Sequence, residues 1–375
     1  MSIILAPDKF KGSLSSFEVC QGMLDGLQPL PLGLNVLIYP MADGGDGFAL
    51  VMQHYLHTTT ITSTAHDPLM KPIEALYQWQ PTTRTAIIET ATASGLVLLN
   101  KNERNPLYTS TYGTGQLIKD AADRGAGEII LGLGGSATND GGMGILAALG
   151  FKFLDQHNQS VFIQGRSLGL IKKIIVPSTL PRLRFRLACD VDNTLYGPEG
   201  AAYIYAPQKG ADEEAVQILD AGLRNFAEVL ERQFGKEVAS IPGSGAAGGI
   251  AAGLIPFFDV KMERGIDLVI AASGIGEAIR TADLVITGEG SLDRQSASGK
   301  VVGAIAALAR THQVRCIAVC GSLTLNTQEL SEMGIAEAHA ISGGSVSIAE
   351  ATGNARNLVA QKVKQIADRL LTRPK

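Results

Sequence analysis

At 375 residues the chain is too long for one ordinary core and points to about two domains. A formal net charge of −4 and a pI near 5.9, with no dense Lys/Arg cluster, exclude a polyanionic partner such as nucleic acid. The longest charge-poor stretch, residues 243–258, is broken by five glycines and Pro256 and falls short of the ~20 apolar residues of a membrane helix.

The chain begins MSIILAP, without a basic n-region or a long apolar core, so no secretory signal is expected and the cytoplasm is the expected location. An apolar run at residues 3–7 reads as a buried strand. A helix should follow it, because Ser15 and Glu18 have capping-box spacing. A second buried strand is expected at 36–40. Residues 58–90 break the pattern: TTTITST, DPLMKP, IEALYQW and TAIIET read as short strands joined by turns, an antiparallel meander.

Helices are then expected at 114–124, closed by Gly125, and at 212–234, closed by Gly235, with a strand at 128–134 between them. From Asp283 onward strand, loop and helix alternate again, with apolar runs at 284–288, 315–321 and 336–341 and a second capping pair at Ser347 and Glu350. Runs of this kind, apolar throughout, suit parallel strands covered on both faces. The expected fold is therefore α/β: a Rossmann-like doubly wound domain formed by both termini (1–60 plus 282–375), with an inserted mixed α/β domain (61–281) and the active site in the cleft between them. Cys20, Cys189, Cys316 and Cys320 are scattered and read as reduced core thiols; His54 and His57 share a helix face without a carboxylate partner and read as surface residues.

In open α/β sheets ligands bind beyond the carboxyl ends of the strands, so the loops after the apolar runs matter most. They are PDKFKGSLS (7–15), MADGGDG (41–47), GLGGSATNDGGMG (132–144), ACDVDN (188–193), PGSGAAGG (242–249) and TGEGSLDRQSASGK (287–300). One such loop is ordinary turn chemistry. Six together, carrying Asp8, Asp43, Asp46, Asp140, Asp190, Asp192, Glu289 and Asp293 with Lys9, Lys11 and Lys300, suit phosphoryl transfer. Glycines let backbone N–H groups approach phosphate oxygens, lysines offset developing negative charge, and carboxylates hold Mg2+ or accept a proton from the attacking hydroxyl.

Known signatures narrow the class. No Walker A sequence, G-x-S-x-G elbow or H-R-D loop is present. Two dinucleotide-type patterns occur, Gly132-x-Gly134-x-x-Ala137 and Gly243-x-Gly245-x-x-Gly248, the first with Asp155 at the distance expected of a ribose-binding acid. Two alternatives to a kinase therefore stand: an NAD-dependent hydroxy-acid oxidoreductase, and a non-catalytic two-domain binder of small anions. Gly141, Gly142 and Gly144, where a first helical turn should pack, argue against the former; the surplus of carboxylates argues against the latter unless a metal binds too.

Nine ordered segments over nearly the whole chain resemble the bacterial glycerate kinase family, the type with a Rossmann-like and an inserted α/β domain. They are APDKFKGSLS, PMADGGDG, ATASGL, YGTG, GGSATNDGG, CDVDN, PQKGA, GAAGG and GEGSLDRQSASGK. The resemblance implies ATP as donor, Mg2+ as its companion, D-glycerate as acceptor and a phosphoglycerate as product, with 2-phosphoglycerate favoured. The chain departs from the family pattern at Asp46, where Glu is usual, at Thr194, where Pro is usual, and at Ser291, where Arg often follows Gly290; Arg294 is a candidate to replace that charge.

On this resemblance the triphosphate is expected against Gly134, Gly135 and Ser136 and against a Gly288–Gly290 turn, with Lys300 near the phosphates. Glu289 or Asp293 would hold Mg2+. Asp190 is the first candidate for the base and Asp8 the second. Lys9, Lys11, Asp43 and Asn139 are the candidates for substrate binding. The expected partners are the two small substrates alone, with no nucleic acid and no membrane, in a monomer or homodimer.

Overall fold

A computed structural model describes residues 1–30, 32–297, 300–343 and 347–371. In chain order the strands are β1 (Ser2–Pro7), β2 (Asn35–Ile38), β3 (Thr59–His66), β4 (Pro72–Gln80), β5 (Thr85–Glu89), β6 (Glu128–Gly132), β7 (Lys152–Leu154), β8 (Lys173–Ile175), β9 (Arg184–Ala188), β10 (Asp259–Glu263), β11 (Leu284–Leu292), β12 (Arg315–Leu323) and β13 (Glu337–Ala340). They fall into two compact units, Met1–Asp43 with Ile266–Lys375, and Gly44–Gly265.

The unit made from both termini is a five-stranded, wholly parallel sheet in the order β13-β12-β11-β1-β2. Ile3, Leu5, Ile286 and Val319 share one face, packed on Val19 and Met23 of helix Ser16–Gly26 and on Val359 and Val363 of helix Ala355–Leu371. Ile4, Val285 and Ala318 alternate to the opposite face, and helix Val301–Thr311 packs on β11 and β12. Each fully buried aliphatic side chain contributes about 1.5–3 kcal/mol, which is why these strands carry no polar alternation. Ser15 closes the expected capping box: its Oγ accepts from the Glu18 N–H at 3.3 Å, and the Glu18 carboxylate accepts from the Ser15 N–H at 2.8 Å. From β1 the chain moves to β2 on one side, whereas β11, β12 and β13 advance on the other. The strand order therefore reverses between β1 and β11, the switch point at which such sheets bind ligands.

The strand expected at 284–288 continues to Leu292 and stays paired with β12 through Leu292 and Leu323. The Gly288–Gly290 turn is thus not formed. Glycine at 288 answers to packing, since a Cβ there would lie 2.0 Å from the Val319 carbonyl oxygen. Gly288→Ala is accordingly expected to destabilise the protein by about 1–3 kcal/mol, the usual cost of overpacking, read as a lower urea midpoint; an unchanged midpoint would refute this account of the glycine.

The contiguous unit holds a six-stranded sheet in the order β10-β9-β6-β5-β4-β3 and a small β7-β8 hairpin. Its β3-β4-β5 portion is the antiparallel meander read from residues 58–90, whereas β5, β6, β9 and β10 run parallel. The unit starts at Gly44 rather than near residue 61. Helix Phe48–Leu56 packs on β4 and β5, and the Ala49 N–H donates to the Glu89 carboxylate at 2.7 Å. At the other end the division falls after Gly265 rather than near 281, because helix Ile275–Arg280 packs on Val301–Thr311. Helix Glu213–Phe234 turns Leu219, Leu223, Phe226 and Leu230 inward; Asp212 caps its start by accepting from the Ala215 N–H at 2.8 Å, and Gly235 ends it at φ +64°.

Candidate active site

In the terminal unit the ends of β1 and β11 bring acids and lysines together. Asp8 directly follows β1, and its N–H donates to the Gly288 carbonyl at 2.8 Å, holding it against β11. The N–H groups of Tyr39 and Met41 bond back to the carbonyls of Leu5 and Pro7, which leads Asp43 to the same end. Lys9 Nζ lies 3.5 Å from Asp43 Oδ1. Glu289 is carried by β11 itself, and Asp293 sits one residue past it.

Asp8 and Glu289 are both buried, at 6% and 7% exposure. Burial, reinforced by the charges of Asp43 and Glu289, pushes the Asp8 carboxyl up to about 7 against the opposing pull of Lys9. Burial likewise lifts Glu289 to about 7, helped by Asp293 and Asp43 and opposed by the Ser296 hydroxyl and Lys300. Glu289 Oε1 is buried without a hydrogen-bond partner among the described residues. An orphaned carboxylate oxygen among neighbouring acids fits a hard divalent cation, which would supply the missing contact and relieve the like-charge repulsion. No three His, Cys, Asp or Glu side chains among the described residues already form a metal cluster; Mg2+ commonly takes only one or two protein carboxylates.

The remaining sequence candidates in this unit divide. Lys300 immediately precedes helix Val301–Thr311, within electrostatic reach of Glu289. Gly290 stands where a Cβ would meet the Lys11 amide nitrogen at 3.1 Å, and the Lys11 side chain is exposed. Arg294 pairs with Glu329 at 2.9 Å with its side chain 87% exposed, and Ser291 Oγ accepts from Ser322 Oγ at 3.1 Å. Ser298 and Gly299 of the same motif lie outside the described residues.

In the contiguous unit β6 ends at Gly132 and the chain runs on as an open loop before helix Met143–Ala148. A dinucleotide turn would start its helix near Gly134, so the first glycine pattern does not form one; Asp155 caps a local turn instead, accepting from the His157 and Gln159 N–H groups at 2.8 and 2.9 Å. Gly134 lies against Gly45, where a Cβ would come within 2.9 Å of the Gly45 Cα, and Gly135 has φ +70°, a conformation that favours glycine. Gly135, Ser136 and Ala137 are tied to residues 94–96: the Leu96 N–H donates to the Gly135 carbonyl and the Ala137 N–H to the Ser94 carbonyl, at 2.9 and 2.8 Å.

Asp190 follows β9 and is exposed; its Oδ1 accepts from the Gly265 N–H at 3.0 Å. Asn139, in contrast, is wholly buried, with both amide atoms unpartnered among the described residues. Asp140 is structural: its carboxylate accepts from the Thr111 N–H and Oγ1–H and from the Gly142 and Gly144 N–H groups, fixing the start of the next helix. Lys209, which the residues alone did not single out, is buried beneath the loop and bonds to Ser136 and Thr138. Its signal was PQKGA, where glycine follows a lysine within a short turn.

Buried acids beside lysines in the terminal unit, and a glycine loop in the contiguous unit, are each features that phosphoryl transfer can use. The glycerate kinase family model matches residues 3–371. The chain belongs to that family and is an enzyme of the phosphotransferase class. It is 41% identical over 369 residues to the glycerate kinase of Halalkalibacterium halodurans, covering 98% of this chain and 97% of that protein. It is 39% identical over 344 residues to the glycerate 2-kinase of Escherichia coli K12, covering 91% and 89%. A crystal structure from Salmonella typhimurium LT2, assigned as glycerate kinase 2, superposes with a TM-score of 0.87 at 35% identity, covering 99% of this chain and 98% of the other. Among the described residues no helix is long and apolar enough to cross a membrane.

Proposed function

We propose that this enzyme transfers the γ-phosphoryl group of ATP to D-glycerate, giving ADP and, by preference, 2-phosphoglycerate, with Mg2+ as the required metal. The observation that carries this reading is the pair of buried carboxyls, Asp8 and Glu289, at the switch point of the parallel sheet. Glu289, with Asp293 beside it, would hold the metal, which when bound neutralises charge on the phosphates. Lys300 adds positive charge beside Glu289.

Asp8 is preferred to Asp190 as the base, which reverses their order in the sequence reading. A general base works best with a pKa near the working pH, and Asp8 is lifted to about 7, whereas Asp190 is exposed and already bonded to the Gly265 N–H. In the proposed step Asp8 takes the proton of the glycerate hydroxyl, that oxygen bonds to the γ-phosphorus, and the bond to the β,γ-bridging oxygen breaks, its electron pair leaving with ADP. Lys9, positioned by Asp43, and Lys11 are assigned to the glycerate carboxylate. The Gly134, Gly135 and Ser136 backbone is assigned to the nucleotide phosphates.

The test is ADP release measured with D-glycerate, L-glycerate and glycerol, followed by NMR of the product. D-glycerate should stimulate release with Mg2+ present and give a 2-phosphate resonance. No acceptor raising release above background ATP hydrolysis would sink the reading; a 3-phosphate product would correct its regiochemistry alone.

A further inference from the structure

Lys209 has no role in the chemistry assigned above, yet it is only 2% exposed, a rare state for a lysine. Its position is enforced locally. Pro207 begins a short turn, and Gly210 closes it at φ +96°, with the Arg104 carbonyl oxygen 2.2 Å from where a Cβ would stand. Only glycine fits there, and the turn sends the preceding lysine inward. Nζ donates to Ser136 Oγ at 3.0 Å and to the Thr138 carbonyl at 2.7 Å. These residues belong to the loop whose backbone is assigned to phosphate.

An ammonium carries three N–H bonds, and the loop accepts two of them. Among the described residues no carboxylate forms an ion pair with Nζ. The acid whose charge favours the protonated lysine is Asp140, but its oxygens already serve Thr111, Gly142 and Gly144. Two further acids reach this loop: Asp46, whose Oδ1 lies 3.2 Å from the Cβ position of Gly135, and Glu89, whose Cγ lies 3.6 Å from that of Gly132 and whose carboxylate accepts from the Ala49 N–H. A buried cation without a counter-ion is costly, and burial lowers Lys209 from the usual lysine range to about 7. An anion resting on the loop would supply what the cation lacks.

We propose that Lys209 is a positioning residue whose ammonium braces residues 136–138 and provides the positive charge beneath a nucleotide phosphate, so that this loop takes up a phosphate and a proton together. The proposal rests on the assignment of the loop to the nucleotide, and its test separates the two. ADP is titrated by calorimetry into the enzyme at pH 8, with EDTA present, in buffers of different ionisation heat. A lysine with a pKa near 7 is about nine-tenths neutral at that pH, so binding should draw in roughly 0.9 proton. Affinity should fall about tenfold between pH 8 and pH 9.

Lys209→Met should bind ADP about tenfold or more weakly at pH 7, show no proton uptake, and keep wild-type affinity for D-glycerate. Lys209→Arg, which stays charged, should bind ADP with nearly flat pH dependence and no uptake. A lysine with a purely structural role would move none of the proton counts. ADP binding to the wild type without proton uptake, or uptake that survives in both variants, overturns the role of Lys209 and leaves the nucleotide assignment standing. No ADP binding at all overturns both. Should Lys209→Met fail to fold by circular dichroism, the wild-type proton count and the Arg variant decide alone.

Discussion

Asp8→Asn should lower kcat with D-glycerate by about 10²–10⁴, the span usual for loss of a general base, while Asp190→Asn should cost less than about tenfold. The substitution keeps the shape of the side chain and removes only its ability to take a proton, so an effect confined to KM would refute the role. A stability measurement gives the same claim a second, independent reading. Asp8 has a folded pKa of about 7 against an ordinary 3.8. A raised carboxyl contributes stability that is fully present below about pH 3.8 and is lost as pH rises through about 7. Above neutrality the wild type therefore holds a buried, poorly compensated charge that the Asn variant lacks. Asp8→Asn should melt higher than wild type at pH 8, and the difference should shrink toward pH 4. A variant both less active and less stable at pH 8 would mean that Asp8 is a packing residue. Gains of stability on removing a strained active-site group follow from the general trade-off between the two properties.

Glu289→Gln carries the second large effect, on the metal. The Mg2+ concentration giving half-maximal activity should rise by about tenfold or more, since one carboxylate charge is lost where Mg2+ is expected to rely on one or two. The wild type should itself lose apparent Mg2+ affinity as pH falls through about 7, because burial holds Glu289 at about 7 and the protonated form is a poor ligand. In the Gln variant that pH dependence should flatten. Unchanged Mg2+ activation across pH 6–8 would remove Glu289 from the metal site and leave Asp293 as the candidate.

Apolar runs and caps made much of the fold legible. Ile3 to Ala6 and the run at β12 are covered on both faces, so their sequence is apolar without interruption and readable as parallel strand. The Ser15–Glu18 box is local chemistry and needs no tertiary knowledge. The division of the chain was less accessible, because helix Phe48–Leu56 looks the same whichever sheet it covers; β5 and the Glu89 carboxylate decide it. The TGEGSL segment reads as a loop because glycine and glutamate disfavour strands, yet Gly288 is there to let β12 approach.

Acids after strands were visible in the same way, which is how Asp8, Asp43 and Glu289 could be named from the residues. Their ranking was not, since spacing does not disclose that Asp8 is buried while Asp190 is exposed. Lys209 left still less trace. Lysine defaults to the surface, and what buries this one is a glycine turn closing against Arg104 a hundred residues earlier in the chain.

The position of β1 bears on how the protein is made. It lies inside its sheet between β2 and β11, and its register to β11 joins Ile3 to Leu284. At about 5–20 residues per second, on the order of 15–55 s of synthesis separate the two halves of that pairing. Through that interval the first strand lacks its β11 partner, and the intervening Gly44–Gly265 unit is completed in sequence only shortly before β11 is made. The nascent chain therefore exposes an apolar strand edge for most of its own translation, and the acid that follows that strand takes its final place only when β11, in about the last quarter of the chain, arrives.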